Sequence, residues 1–408
     1  MKIISTENIP IKMWLDEIED GALEQAKNLA NLPFAFHHVA IMPDSHQGFG
    51  MPIGGVLATE NVVIPYAVGS DIGCGVTAVR TCLTEISIDQ LKMIMGRIRE
   101  QIPLGHNHHE QDQDQLLMPH GVAIENGNLC YFSGLHIVSS EYKSALKQLG
   151  TLGGGNHFIE IQKGSDGFIW IMIHSGSRNL GKKVADYYNG VAKNLNAEWH
   201  SAVPKEWDLA FLPLDSQQGK DYMKEMQYCV EFAKANRKLM MDRIKDIFDV
   251  SGSDLRKGSH VHEDGTDDLF PEFIDIAHNY AVLEHHFGKD VLVHRKGATL
   301  AQNGTVGIIP GSQGTKSYIV RGKGCKDSFD SCSHGAGRKM GRREAQRTLN
   351  LEEEKKKLDD MGVLHAIRGV EDLDEAPGSY KDIDVVMKNQ EDLVDIIVEL
   401  TPLGVVKG

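Results

Sequence analysis

The chain has 408 residues and a formal net charge of −14, a balance that by itself argues against non-specific binding to nucleic acid. No apolar run approaches the ~18 residues that a membrane-spanning helix needs, and the first residues lack the apolar core of a signal peptide. Six cysteines without C-x-x-C spacing point to a reducing compartment rather than a disulfide framework, so a cytoplasmic protein is expected.

In chain order, Asp71-Ile72-Gly73-Cys74-Gly75 is the first informative stretch. Glycines on both sides of the cysteine let the backbone turn tightly, so a carboxylate and a thiol can face one small target. Ser87 and Gln90 form a capping-box pair ahead of Leu91, Ile94, Met95 and Ile98, which are spaced for one helix face. Residues 105–114 are polar and rich in histidine, and read as a flexible surface loop. Gly153, Gly154 and Gly155 lead through Asn156 into an alternation of Phe158 and Glu160 against His157 and Ile159, a loop feeding a strand. Residues 168–173 read as a buried strand that ends in His174 and breaks at Ser175-Gly176-Ser177-Arg178. A long helix is expected over 220–248 with Tyr222, Met226, Cys229 and Ala233 inward, a core stripe rather than a cofactor box. His260 and His262, in a Gly/Ser/Asp-rich stretch, read as surface loop. His278 follows Phe273, Ile274 and Ala277 on an expected helix, and residues 392–398 read as a further helix. Helices and short strands interleave throughout, and the chemistry-bearing residues span most of the chain. An α+β fold follows, one integrated domain over 1–408 with mixed sheets around a central cleft.

Thiolate and carboxylate are both anionic metal ligands. Taken singly, Asp71 and Cys74 fit a structural turn as well as a metal site, and each of His157, His174 and His278 fits a satisfied structural role better. Together they make a plausible dinuclear set. One metal could take Asp71, Cys74 and His157, the other Cys74, His174 and His278, with the thiolate bridging. Thiolate beside imidazole suggests zinc on softness grounds, since manganese prefers oxygen ligands.

His334 lies in a small-residue cradle, Ser333-His334-Gly335-Ala336-Gly337-Arg338, which lets a large ligand approach the backbone closely. Just upstream, Pro310-Gly311-Ser312-Gln313-Gly314-Thr315-Lys316-Ser317 lacks the spacing of a P-loop and reads as a phosphate-binding loop of another design or as a plain turn. From 316 to 347 there are nine Lys or Arg against three Asp or Glu, a local basic excess that reads as a phosphate-binding wall or a solvated face.

These segments, with Met-Pro-Asp-Ser-His-Gln-Gly-Phe-Gly at 42–50, Pro-Ile-Gly-Gly at 52–55, Arg-Lys-Gly at 295–297, Tyr-Lys-Asp-Ile-Asp at 380–384 and Val-Lys-Gly at 406–408, resemble the signatures of the RtcB family of RNA ligases, in the family's order. The resemblance implies a GTP- and manganese-dependent ligase that joins RNA 3′-phosphate or 2′,3′-cyclic phosphate ends to 5′-hydroxyl ends. It implies Asp71, Cys74, His157, His174 and His278 as ligands of two manganese ions and His334 as the nucleophile that carries GMP. It places Asn156, His157, Phe158, Ile159, Glu160, His278, Asn279, Pro310, Gly311, Ser312, Gln313, Ser317, His334, Gly335, Ala336, Gly337 and Lys407 around the guanylate, with Tyr380 stacked on the base. Glu160 has the chemistry to accept from the paired N–H donors of guanine, which adenine lacks; otherwise it is a solvated strand carboxylate. Lys407 is a frayed terminal charge unless the resemblance holds. RNA is the implied partner, with an archease-type activator as a possible second. The rival readings are a metal-dependent cyclic phosphodiesterase, a guanylyltransferase that caps 3′-phosphates, and a non-catalytic RNA-binding protein.

Overall fold

A computed structural model describes residues 1–125, 128–255 and 272–408; His260 and His262 lie outside these. Two large sheets organise the chain. The first, of six strands, runs Lys2–Ile4, Ile11–Met13, Ala35–His46, Ile53–Thr59, Lys289–Lys296, Asn279–His286. The second, of seven, runs Glu272–Ala277, Gly75–Arg80, Ile169–Ser175, Phe158–Gly164, Val394–Lys407, Ser317–Gly322, Val306–Ile309. Within them only Ile11–Met13 and Ala35–His46 pair in parallel. Mixed sheets interleaved with helices match the α+β expectation.

Strand alternation sets the core of the seven-stranded sheet. Ile159, Ile161, Ile171, Ile173 and Val406 face one side, where they pack on Leu91, Ile94, Met95 and Ile98 and on Met240, Met241, Ile244 and Phe248. Those residues come from the helices Ile88–Gln101 and Gln217–Leu255. Trp170, Met172, Ile308, Ile319, Val398 and Leu400 fill the other side. The Ile88–Gln101 helix starts with the expected capping box, Ser87 accepting from the Gln90 amide. The Gln217–Leu255 helix outruns the expected 220–248 at both ends, and Tyr222, Met226, Cys229 and Ala233 are buried on it.

Two expected helices are strands. Residues 392–398 enter the long central strand Val394–Lys407, which pairs with Phe158–Gly164 and Ser317–Gly322. Its run of Val394, Ile396, Ile397 and Val398 is β-branched, and crowding at Cβ favours the pleated backbone over a helix. The residues before His278 form the strand Glu272–Ala277 on Gly75–Arg80. The polar stretch 105–114 is tied down at several points: the amides of Gly105, His109 and Gln113 donate to the carbonyls of Gly153, Lys147 and Leu146, and the Arg243 guanidinium meets His109 at 2.9 Å and the Gln113 side chain, while His106 and His108 are exposed. All six cysteines are free. Among the described residues no helix is long and apolar enough to cross a membrane.

Candidate functional site

Antiparallel register brings the candidate residues to one end of the seven-stranded sheet. Gly75, where a strand begins, pairs with Ser175 and Ala277, where two strands end. Phe158, another strand start, pairs with His174 and with Lys407. Cys74, His157, His174, His278 and Lys407 are therefore neighbours through sheet geometry alone. His278 is the single residue between Glu272–Ala277 of one sheet and Asn279–His286 of the other. Its amide donates to the Cys74 carbonyl at 2.9 Å.

The loop before Gly75 is as tight as its glycines suggest. Gly73 takes φ +72°, and a Cβ there would lie 2.7 Å from Val230 Cα of the long helix. That helix also braces the loop. Arg237, fully buried, forms a two-pronged ion pair with Asp275 at 2.7 and 3.1 Å and donates to the carbonyls of Gly73 and Ser175, each at 3.0 Å. Asn236 holds the amides of Gly150 and Thr151 and the carbonyls of Thr151 and Gly176.

Cys74 Sγ lies 3.5 Å from His157 Nε2 and 3.3 Å from His174 Nε2, and His157 Nε2 lies 3.1 Å from Asp71 Oδ2. Each ring's other nitrogen donates to a backbone carbonyl, His157 Nδ1 to Leu152 at 3.0 Å and His174 Nδ1 to Asn156 at 3.1 Å. Those bonds fix the tautomer so that both Nε2 lone pairs face the sulfur. The His278 ring stands 5.2 Å from that of His174, and its Nδ1 is buried without a partner. Burial pushes the Cys74 thiol up and the His174 and His278 imidazoles well down. Burial also opposes charge on Asp71, but the His157 ring beside it and the Arg178 guanidinium hold its carboxyl below the usual range. Converging lone pairs around a buried sulfur fit a cation, which would make the thiolate the stable form. Cys74, His157 and His174 are the one such ligand group among the described residues; Asp71 and His278 adjoin it.

His334 opens on the same cleft, of ≈ 1210 Å³. Its Nδ1 lies 2.6 Å from Asp44 Oδ2, which also accepts the amides of His334 at 3.0 Å and Gly335 at 3.2 Å. Asp44 is fully buried; burial opposes its charge, yet the His334 contacts keep its carboxyl low. An imidazole that donates from Nδ1 presents its Nε2 lone pair, the form a nucleophile needs. The ring stands 4.8 Å from that of His278, so this nitrogen heterocycle adjoins the ligand cluster. Gly337 cannot be larger, because a Cβ there would lie 2.0 Å from the Asp44 carbonyl.

The remaining cleft wall contains Asn156, Phe158, Glu160, Asn279, Pro310, Gly311, Ser312, Gln313, Gly335, Ala336, Gly337, Tyr380 and Lys407. Ile159 and Ser317 are placed otherwise. Strand alternation turns Ile159 into the core, and the Ser317 hydroxyl accepts from the Gly311 amide at 3.0 Å behind the 310–317 turn. That turn feeds the strand Ser317–Gly322 rather than a helix, in keeping with the rejected P-loop reading. Glu160 is no solvated strand residue. It is 2 % exposed beside Gln162 and Lys407, and burial raises its carboxyl to about 8. Lys407 is no frayed charge, since its Nζ lies 2.8 Å from Glu375 Oε2. The same carboxylate takes the Tyr380 hydroxyl at 2.6 Å and the Arg338 guanidinium. Burial opposes its charge, but Lys407 and Arg338 hold it at about 2.

The basic excess of 316–347 is only partly a wall of this cleft. Lys316, Lys323 and Lys326 pair with Glu399, Asp395 and Asp330. Arg338, Lys339 and Arg342 reach the cleft, and Arg338 is engaged by Glu375. Asp44, Glu375, Asn236 and Arg237 carry roles that sequence reading did not assign. For Asp44 a signal existed, an acid set just past the apolar run Val39-Ala40-Ile41-Met42 by Pro43.

Fold and site together define an α+β enzyme whose candidate metal-ligand cluster and oriented histidine share one cleft at the sheet ends. The family model described as tRNA-splicing ligase RtcB matches residues 25–408. Over its whole length the chain is 38 % identical to "RNA-splicing ligase RtcB" of Escherichia coli K12, covering 99 % of that protein. It is 32 % identical to "tRNA-splicing ligase RtcB" of Thermococcus kodakarensis, with 96 % of this chain and 92 % of that one aligned. Against the protein of the same name from Nanoarchaeum equitans the identity is 33 %, over 98 % and 96 %. The chain belongs to the RtcB family.

Proposed function

We propose that this chain is an RNA ligase, acting in tRNA splicing or RNA repair, that joins 3′-phosphate or 2′,3′-cyclic phosphate ends to 5′-hydroxyl ends with GTP and two manganese ions. Family membership supports the ligase reading, and the observation that carries the mechanism is the Asp44–His334 pair. Asp44 holds the proton of His334 on Nδ1, leaving Nε2 to attack the α-phosphorus of GTP. An N–P bond forms, the bond to the bridging oxygen breaks, and pyrophosphate leaves. The RNA 3′-phosphate then displaces the histidine and takes the guanylate. Attack by the 5′-hydroxyl on the activated 3′-phosphate releases GMP and gives its proton to solvent. Manganese held by Asp71, Cys74, His157, His174 and His278 would offset phosphate charge and activate the water that opens a cyclic phosphate. Glu160 would accept from guanine, Tyr380 would stack on it, and Lys407 with the 310–313 turn would hold the nucleotide. The organisation we propose is one integrated domain in the cytoplasm, with an archease-type protein as a candidate activator.

The test is covalent labelling. With α-labelled GTP and Mn²⁺ and no RNA, the protein is expected to carry label that is lost in acid and survives mild alkali. His334→Ala should lose the label yet seal RNA already guanylylated at its 3′ end. Wild-type labelling of His334→Ala would place the nucleophile elsewhere.

A further inference from the structure

The motif at 42–50 contributes Asp44 to the site, but its Phe49 has no part in the reaction above. The Phe49 ring is 78 % exposed at the cleft that contains His334, so its burial contributes little to the fold. Its backbone is nevertheless pinned at each neighbouring residue. Gln25 clamps Gly48 from both sides, accepting its amide at 3.0 Å and donating to its carbonyl at 2.7 Å. Glu19 accepts the Gln47 amide at 3.1 Å. Gly50 takes φ +68° where a Cβ would lie 2.6 Å from the Asp208 carbonyl. The Phe49 carbonyl accepts from the buried Lys296 ammonium at 2.6 Å, and the same ammonium donates to the Tyr66 carbonyl at 3.0 Å. Tyr66, half-buried, lines the same cleft with the Lys193 ammonium 5.2 Å from its ring centre. One lysine therefore ties together two backbones that each bring an aromatic ring to the same cleft.

We propose that Phe49, with Tyr66 lining the same cleft, is a stacking platform for the unpaired bases of a single-stranded RNA end. Every base has a π-face, so an aromatic platform accepts ends of any sequence. The pinned backbone removes the ordering cost that a mobile loop would incur on binding. Charge alone would not draw RNA to this cleft, because Glu19 and the Lys182–Asp186 pair share it. Stacking supplies the attraction here, and Lys339 and Arg342, which line the same cleft, would take the phosphates. The inference rests on the RNA-ligase reading for its choice of ligand.

Binding is measured without GTP or metal, so that its failure is separable from failure of the ligase chemistry. The probe is a fluorescein-labelled, single-stranded oligoribonucleotide with a 3′-phosphate, followed by anisotropy. Phe49→Ala is expected to weaken binding about ten-fold, as loss of one stacked base does. Phe49→Tyr should restore it and Phe49→Leu, which has bulk but no π-face, should not. In Phe49→Trp the indole fluorescence should be quenched as the oligonucleotide is added. Wild-type affinity in Phe49→Ala or Phe49→Leu, or no quenching in Phe49→Trp, overturns the proposal. If wild-type protein binds the probe in this Phe49-dependent way but fails to seal ends, the platform stands and the ligase reading falls.

Discussion

Asp44 and His334, 290 residues apart in sequence, meet through a 2.6 Å contact between Oδ2 and Nδ1. The same oxygen takes two backbone amides of the 333–338 cradle, so one carboxylate both shapes the loop and sets the histidine tautomer. Asp44→Asn can keep the shape and lose the tautomer control. The initial rate of GTP-dependent self-labelling is expected to drop by about two to four orders of magnitude, as when an orienting carboxylate is replaced by an amide elsewhere. The melting temperature should move little by comparison. Labelling at near wild-type rate would show that the nucleophile does not depend on this proton.

The lone pairs around Cys74 predict its effect on metal. Sγ lies within 3.5 Å of both His157 Nε2 and His174 Nε2, so removing it takes a donor from between the two imidazoles. Cys74→Ala should lower Mn²⁺ affinity and stoichiometry in an electron paramagnetic resonance titration, while circular dichroism stays that of the native fold. Both proposed ions should weaken, because the thiolate would bridge them. Retention of two tight ions would remove Cys74 from the ligand set.

Burial of Glu160 beside Gln162 and Lys407 gives the proposed guanine contact a pH dependence. In the proposed complex guanine N–H donors would bind the ionised carboxylate, and burial places the free group at about 8. Protonation therefore competes with GTP, and affinity should fall as pH drops from above 8 toward 6.5 and level off above the pKa. Glu160→Ala should flatten that profile and weaken GTP binding by about 1.5–3 kcal/mol, the worth of hydrogen bonds to a charged group. Calorimetric titration of GTP at several pH values measures both effects; a flat profile in the wild type would exclude Glu160 as the acceptor.

Much of this site was legible because its residues sit where strands begin or end, and the local sequence marks those boundaries. The apolar run before His174 and the glycines before Asn156 and His157 are such marks. Asp44, Glu375 and Arg237 were not legible, since each acquires its role from a partner that tertiary folding supplies. Nothing near Arg237 indicates that its guanidinium will reach Gly73 and Ser175. Residues 392–398 were misread for a different reason. Val394 and Val398 are four apart and buried, which satisfies a helix period, while Ile396 and Ile397, the β-branched residues between them that favour a strand, are exposed. Pairing on both sides, by Phe158–Gly164 and Ser317–Gly322, decides in favour of the strand.

Glu375 predicts how the proposed guanylate wall responds to acid. Its carboxylate joins Arg338, Tyr380 and Lys407, and titrates at about 2 against an ordinary value of 4.5. A depressed carboxylate contributes stability that is complete above 4.5 and is lost as pH falls through 2. Wild-type melting temperature should therefore decline across that window by more than that of Glu375→Gln, which has no such proton to take up. At neutral pH the variant should be less stable by about 3 kcal/mol, because Arg338 and Lys407, both part-buried, would lose their buried counter-charge. Its KM for GTP in self-labelling should rise more than its kcat falls, since the groups that Glu375 positions belong to the proposed nucleotide wall and not to the His334 attack. Parallel acid profiles for the two proteins would show that the Glu375 network does not hold this wall together.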